Sequence, residues 1–148
     1  MSDNINIKNK RAYYEYHILE KYVAGIQLLG TEIKSLRAGK ASIAEAYCYI
    51  KKHELFIKSM HIAEYDPASY NNHEPLRERK LLLNRIELKK IEKKLKNQGL
   101  TVIPLKVFIN DRGKAKVEIA LVQGKKLHDK RHSIKEKDLK RDHDRKMH

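Results

Sequence analysis

A mainly β chain with added helices, closed into a small antiparallel barrel and followed by a basic tail, is what this sequence predicts. Three observations lead there. Runs rich in β-branched and aromatic residues recur along the first 123 positions, short and bounded by turn residues. Only two segments show helical periodicity, and each carries a cap signal. From Gly124 onward the large apolar residues thin out and lysine and arginine take over. A chain of 148 residues has room for one domain with a core, so residues 1–123 are read as the folded unit and 124–148 as the tail.

The elements follow in order. Tyr13 to Leu28 (YYEYHILEKYVAGIQL) suits a pleated, half-buried surface and is read as two strands. Thr31 to Ala38 sets Ile33 and Leu36 three apart with Lys34 and Arg37 beside them, a short helix with a basic flank that Gly39 can close in a left-handed cap. Tyr47–Lys51 and Leu55–Ile62 flank the polar turn Lys52-His53-Glu54 and form a hairpin. Ala63 to Arg79, with two prolines, is a long loop. Asn84 to Glu87 has capping-box form and opens a helix running to about Gln98, with Leu88, Ile91 and Leu95 on one face, Glu92 four before Lys96, and Gly99 as the stop. Its Lys89, Lys90, Lys93 and Lys94 are a solvated surface. Thr101–Ile109 and Lys114–Val122 are a second hairpin about Asn110-Asp111-Arg112-Gly113, with Ala115, Val117, Ile119 and Leu121 on the core face. Short antiparallel strands with two helices between them suit a closed barrel of the oligonucleotide-binding class.

Charge narrows the partner. Lys and Arg outnumber Asp and Glu by 33 to 19, a formal net charge of +14, which favours a polyanion. No basic helix has the continuous apolar face that a membrane surface requires, so nucleic acid is the expected partner. Met1 to Lys10 holds no apolar run of signal-peptide kind, so the chain is expected in the cytoplasm. Cys48 is the only cysteine and is read as a structural thiol, since no basic activator stands near it in sequence. Gly124 to His148 carries ten Lys or Arg against five Asp or Glu, with only Leu127, Ile134, Leu139 and Met147 as large aliphatic side chains. That tail is expected to be disordered when free and, given the capping-box form of Ser133 to Glu136, to become helical against a phosphate-bearing partner.

A catalytic reading finds no support. The acidic residues are interleaved with lysines, and no phosphate-cradling glycine loop or nucleophile elbow occurs, so the chain is not expected to be an enzyme or to need a cofactor. His128 and His132 have metal-ligand spacing but sit in the basic tail, where donors and stacking rings for RNA are the better account. Tyrosines 13, 14, 16, 22, 47 and 49 could stack on bases, and alternation turns about half of them inward.

Three motifs then resemble the bacterial SsrA-binding proteins (small protein B), the partners of transfer-messenger RNA (tmRNA) in rescuing stalled ribosomes. They are Asn9-Lys10-Arg11-Ala12 with Ala24-Gly25 and Gly30 to Gly39 (GTEIKSLRAG), then Arg79 to Asn84 (RKLLLN), and Gly124 to Arg131 (GKKLHDKR) with Ile134-Lys135. Their shared order makes the resemblance specific, and it covers nearly the whole chain. It implies a monomeric barrel that grips the transfer-RNA-like part of tmRNA and a tail that enters the decoding site and empty messenger channel of the small ribosomal subunit.

In that family the positions matching Leu82 and Asn84 serve tmRNA binding, and those matching Gly124 and Asp129-Lys130-Arg131 serve the tail. Lys10, Arg11, Lys34 and Arg37 are further candidate RNA contacts from the same motifs. Lys125, Lys126, His128 and the distal Met147 complete the expected ribosome-binding set. Two positions depart from the family. Val23 stands where an acidic residue is common, so that contact does not carry over, and Lys146 stands beside Met147 where an apolar residue is frequent.

Overall fold

The computed structural model describes residues 5–65, 72–97 and 99–124. The tail from Lys125 onward, and with it the expected disorder and binding-induced helix, lies outside the described residues.

The described residues are mainly β with three helices, in the order β1 (Asn6–Lys8), α1 (Ala12–Glu15), β2 (Tyr16–Ile26), α2 (Gly30–Arg37), β3 (Ala41–Ser42), β4 (Tyr47–Lys51), β5 (Glu54–Lys58), β6 (His61–Ile62), β7 (Arg79–Leu82), α3 (Arg85–Lys94), β8 (Leu100–Ile109) and β9 (Ala115–Gly124). Strands pair in the order β1-β8-β4-β5-β7-β2-β9, and β9 pairs with β8 as well. Six strands therefore form a ring, with β1 laid against β8. The short β3 and β6 make a separate two-stranded sheet.

Where Tyr13 to Leu28 was expected to give two strands, the structure forms α1 and one continuous strand. Tyr13 and Tyr14 lie in α1, and β2 carries a bulge between Ile18 and Glu20 in its pairing with β9. One inserted residue reverses the pleat. Tyr16 and Ile18 consequently pack outside the ring with Ala12, Ile103, Leu105, Ala120 and Val122, whereas Tyr22, Ala24 and Ile26 join the core inside it. The reversal of phase mimics a strand boundary in the sequence.

The long loop is also shorter than expected, because Arg79 to Leu82 is a strand between β5 and β2. The hairpin of β4 and β5 forms in register from Tyr47↔Lys58 to Lys51↔Glu54, but β5 stops at Lys58 and His61–Ile62 crosses to β3. β1 had no signal in the sequence; its Ile7 packs on the core while Asn6 and Lys8 face outward. In α2 the expected left-handed cap is present. Gly39 has φ of 76°, its amide donates to Leu36 and the Lys40 amide donates to Ser35, the double closure of a Schellman motif.

Helix α3 starts as expected. The Asn84 side chain accepts from the Glu87 amide at 2.8 Å, although the return bond from the Glu87 carboxylate is not formed. It ends at Lys94, one turn before the expected end near Gln98. Ile91 is wholly buried, with Leu88 and Leu95 packed beside it. Glu92 bonds His53 at 2.8 Å instead of Lys96. Lys94 bonds Glu20 on β2, and this bond, with that of Tyr22, holds the Glu20 carboxyl below the usual carboxylate value. The core and the Glu20 tie fix α3 beside β2.

Candidate RNA interface

The registers of β7, β2, β9, β8 and β1 place outward side chains in two rows. One row runs Leu82, Gly25, Lys116, Phe108, Asn6; the next runs Val23, Glu118, Lys106, Lys8. Leu82 and Val23 are large apolar residues left 44% and 52% exposed, which makes the β7–β2 end a candidate contact surface. Gly25 lies between Leu82 and Lys116. It lines a shallow cavity of about 410 Å³ with Leu28 and Ile33, and a Cβ there would make ordinary contacts, 3.5 Å from the Leu82 Cβ and 3.8 Å from the Lys116 Nζ. Asn84 stands two residues beyond Leu82, exposed at the head of α3, followed by Ile86 at 73% exposure. An apolar surface rimmed by Lys114, Lys116 and an amide can seat a base or ribose and hold its phosphates.

The other expected RNA contacts divide. Arg37 donates to the Gly113 carbonyl at 3.3 Å, at the edge of the same cavity. Lys34, one turn away, lies over the Tyr65 ring at 5.5 Å and does not join it. Lys10 lines a separate groove with Lys8, Lys21 and Lys106. Arg11 turns away to Glu15 (2.9 Å) and Glu45 (3.2 Å), and the Glu15 hydrogen bond first, then the charges of both carboxylates, raise its pKa. Adjacent in sequence, Lys10 and Arg11 thus serve different surfaces. Of the tyrosines, Tyr13, Tyr14 and Tyr47 are exposed, Tyr16 and Tyr22 pack on the core, and Tyr49 meets Phe56 at 6.1 Å.

Several motif residues hold the frame instead. Asn9 is buried, donating its side-chain amide to the Pro104 carbonyl at 3.1 Å and its backbone amide to Leu105 at 2.8 Å, at a bulge in β8. Glu32 and Arg79, from two different motifs, are both fully buried and meet at 2.7 Å. Arg77 donates to the same carboxylate at 2.7 Å, and so does the Leu29 amide, also at 2.7 Å, at the head of α2. Arg79 also donates to the carbonyls of Met60 and Pro75. Burial opposes the Glu32 charge, but these hydrogen bonds and the Arg79 guanidinium outweigh it and hold the carboxyl below its ordinary value. Cys48 is buried, which pushes its thiol pKa up and leaves it structural, as expected.

Lys116 and Phe108 went unmarked in the sequence. The alternation of Lys116 with Ala115 and Val117 signals an outward position, but its neighbours across the sheet emerge only from the register. Gly124, the last described residue, pairs with Tyr16 directly after α1. Lys125, Lys126, His128, Asp129, Lys130, Arg131, Met147 and the His128–His132 pair lie outside the described residues. Among the described residues no three His, Cys, Asp or Glu side chains converge as a metal site would require, and no helix is long and apolar enough to cross a membrane.

The family model described as "SmpB protein" matches residues 6–148. This chain belongs to the SmpB family. Its relatives include the SsrA-binding protein of Christiangramia forsetii, 56% identical over 98% of this chain and 92% of that protein, and the SsrA-binding protein of Cytophaga hutchinsonii, 59% identical over 94% and 91%. A solved structure described as "tmRNA-SmpB: a journey to the center of the bacterial ribosome" superposes with a TM-score of 0.70 at 46% identity, covering 83% of this chain and 86% of that one. The SmpB match thus spans the sheet, the Leu82–Asn84 corner and the segment beyond Gly124.

Proposed function

We propose that this chain binds the transfer-RNA-like part of tmRNA through the Leu82–Asn84 corner, delivers it to stalled ribosomes and supports trans-translation. The ring of strands serves as an oligonucleotide-binding type of barrel, working as a cytoplasmic monomer. The segment from Gly124 enters the decoding site and the empty messenger channel, where Lys125, Lys126, His128, Lys130 and Arg131 meet ribosomal phosphates and Asp129 orients a neighbouring cation. The observation that carries this reading is the outward placement of Leu82, Gly25 and Asn84 on one corner, in a chain that matches the SmpB family along its length. Recognition is by shape, because helical RNA hides its base edges and presents phosphates and 2′-hydroxyls. The role calls for binding energy and no bond chemistry.

Purified full-length protein incubated with tmRNA, with transfer RNA and with an unrelated folded RNA of tmRNA length tests the proposal. Selective, non-cleaving retention of tmRNA is expected, together with tagging activity on stalled ribosomes. Changing Asp129, Lys130 and Arg131 to alanine removes only one net positive charge and should leave tmRNA binding in place while tagging falls. Equal retention of the unrelated RNA, or its cleavage, overturns the proposal; normal tagging by the triple variant overturns the assigned role of the tail.

A further inference from the structure

Beyond the Leu82 corner, the same outer face carries a groove of about 570 Å³ lined by Lys8, Lys10, Lys21 and Lys106, with Tyr13 at its side and Glu118 as its one carboxylate. The lysines come from different elements. Lys8 and Lys106 are direct cross-strand partners on β1 and β8, both facing outward; Lys21 comes from β2, and Lys10 from the link into α1. Like charges directly opposite each other on an antiparallel pair destabilise the sheet. No carboxylate among the described residues lies within ion-pair distance of any of the four lysines, and Glu118, although opposite Lys106 in register, forms no ion pair with it. On other elements of the body, Lys51, Lys80 and Lys94 each have a glutamate partner. Rings hold two of the four cations in place, Lys21 over Tyr13 at 5.6 Å and Lys106 over Phe108 at 5.5 Å.

We infer that this lysine groove is a second binding site, for the phosphodiester backbone of folded RNA, continuous with the Leu82 corner. Four lysines around one carboxylate leave three positive charges in excess, which suits successive phosphates of a strand rather than a single small anion. The two rows of outward residues join the sites. From β7 to β1 is four strand spacings, about 19 Å along the sheet, and Lys116 lies between them in register with Gly25 and Phe108. An RNA seated on Leu82 and Asn84 can therefore run its backbone across β9 into the groove. The inference rests on the proposed function for the identity of the RNA, and the backbone it binds could belong to tmRNA or to ribosomal RNA.

The test compares full-length wild type, Lys8→Gln/Lys106→Gln, Lys21→Gln and a charge-matched control, Lys58→Gln/Lys96→Gln, on elements outside the groove. Each is titrated with free tmRNA and, separately, with vacant small ribosomal subunits over a range of salt. Losing a phosphate contact lowers the magnitude of the log affinity against log salt slope by about 1 per lysine. The double groove variant should lose about 2 and Lys21→Gln about 1, against a smaller change in the control. Its melting temperature should hold or rise, since a like-charge pair has been relieved. A reduced slope with tmRNA alone assigns the backbone to tmRNA, and one with subunits alone assigns it to ribosomal RNA; either supports the groove. Slopes equal to wild type with both RNAs, or reduced no more than in the control, overturn it. Failure of wild type to prefer tmRNA over an unrelated RNA would instead strike the proposed function and leave the phosphate groove standing if its slopes still fall.

Discussion

At the scale of single residues, Asn84 combines an observed structural role with the RNA contact proposed for it. Its side-chain oxygen is occupied as the cap of α3, and the residue is otherwise exposed, so the amide nitrogen remains as a donor. Asn84→Ala should therefore cost about 0.5–2 kcal/mol of stability, as capping losses do, and weaken tmRNA binding as well. Asn84→Asp and Asn84→Ser keep an oxygen for the Glu87 amide but lose the donor, so they should melt near wild type while binding tmRNA less tightly. Paired melting curves and binding isotherms check this. If the Asp and Ser variants bind as wild type, Asn84 is a cap and nothing more.

At the scale of elements, Glu32 joins the head of α2 to β7 through Arg79 and to the approach to β7 through Arg77. Since β7 carries Leu82, this buried cluster ties the strand bearing the proposed RNA corner to the head of α2. Glu32→Gln leaves the fully buried Arg79 guanidinium without its counter-charge and should cost about 3–5 kcal/mol, the usual loss when one partner of a buried pair is removed. Urea unfolding measures it. The depressed Glu32 pKa also fixes a pH window. Its contribution is complete above the unfolded carboxyl's value, 4.5, and is lost as pH falls through the lower folded value, so wild type should lose stability on acidification more steeply than Glu32→Gln. Parallel acid-unfolding curves for the two proteins would contradict that assignment.

For the whole molecule, the pairing of β9 with β2 includes Gly124, the residue at which the composition changes. Gly124 still pairs with Tyr16 at the end of β9, so a chain ending at Gly124 keeps every described strand. That truncated chain should melt like the full chain, bind tmRNA with a shallower salt dependence because ten of its cations are gone, and fail to support tagging. Tagging at the full-length rate would show that the tail is dispensable. Under the proposed function, charge acts as a field spread over body and tail, while selectivity is assigned to the corner where Leu82, Val23 and Ile86 are left exposed.

Local chemistry made much of this protein legible in advance. Caps and glycines placed α2 and the start of α3, and strict alternation fixed the core face of β9. Each of these is a property of neighbouring residues, set by backbone geometry or by burial on one face. What tertiary structure alone decided is what depends on partners distant in sequence. The bulge in β2 turned two expected strands into one, because it shows only in the pairing with β9. Arg79 and Glu32, read as pieces of separate motifs, proved to be one buried ion pair 47 positions apart. Lys8 and Lys106 became neighbours only through the β1–β8 register, and a groove made from several elements has no local signature, because it exists only once the strands that carry it have paired.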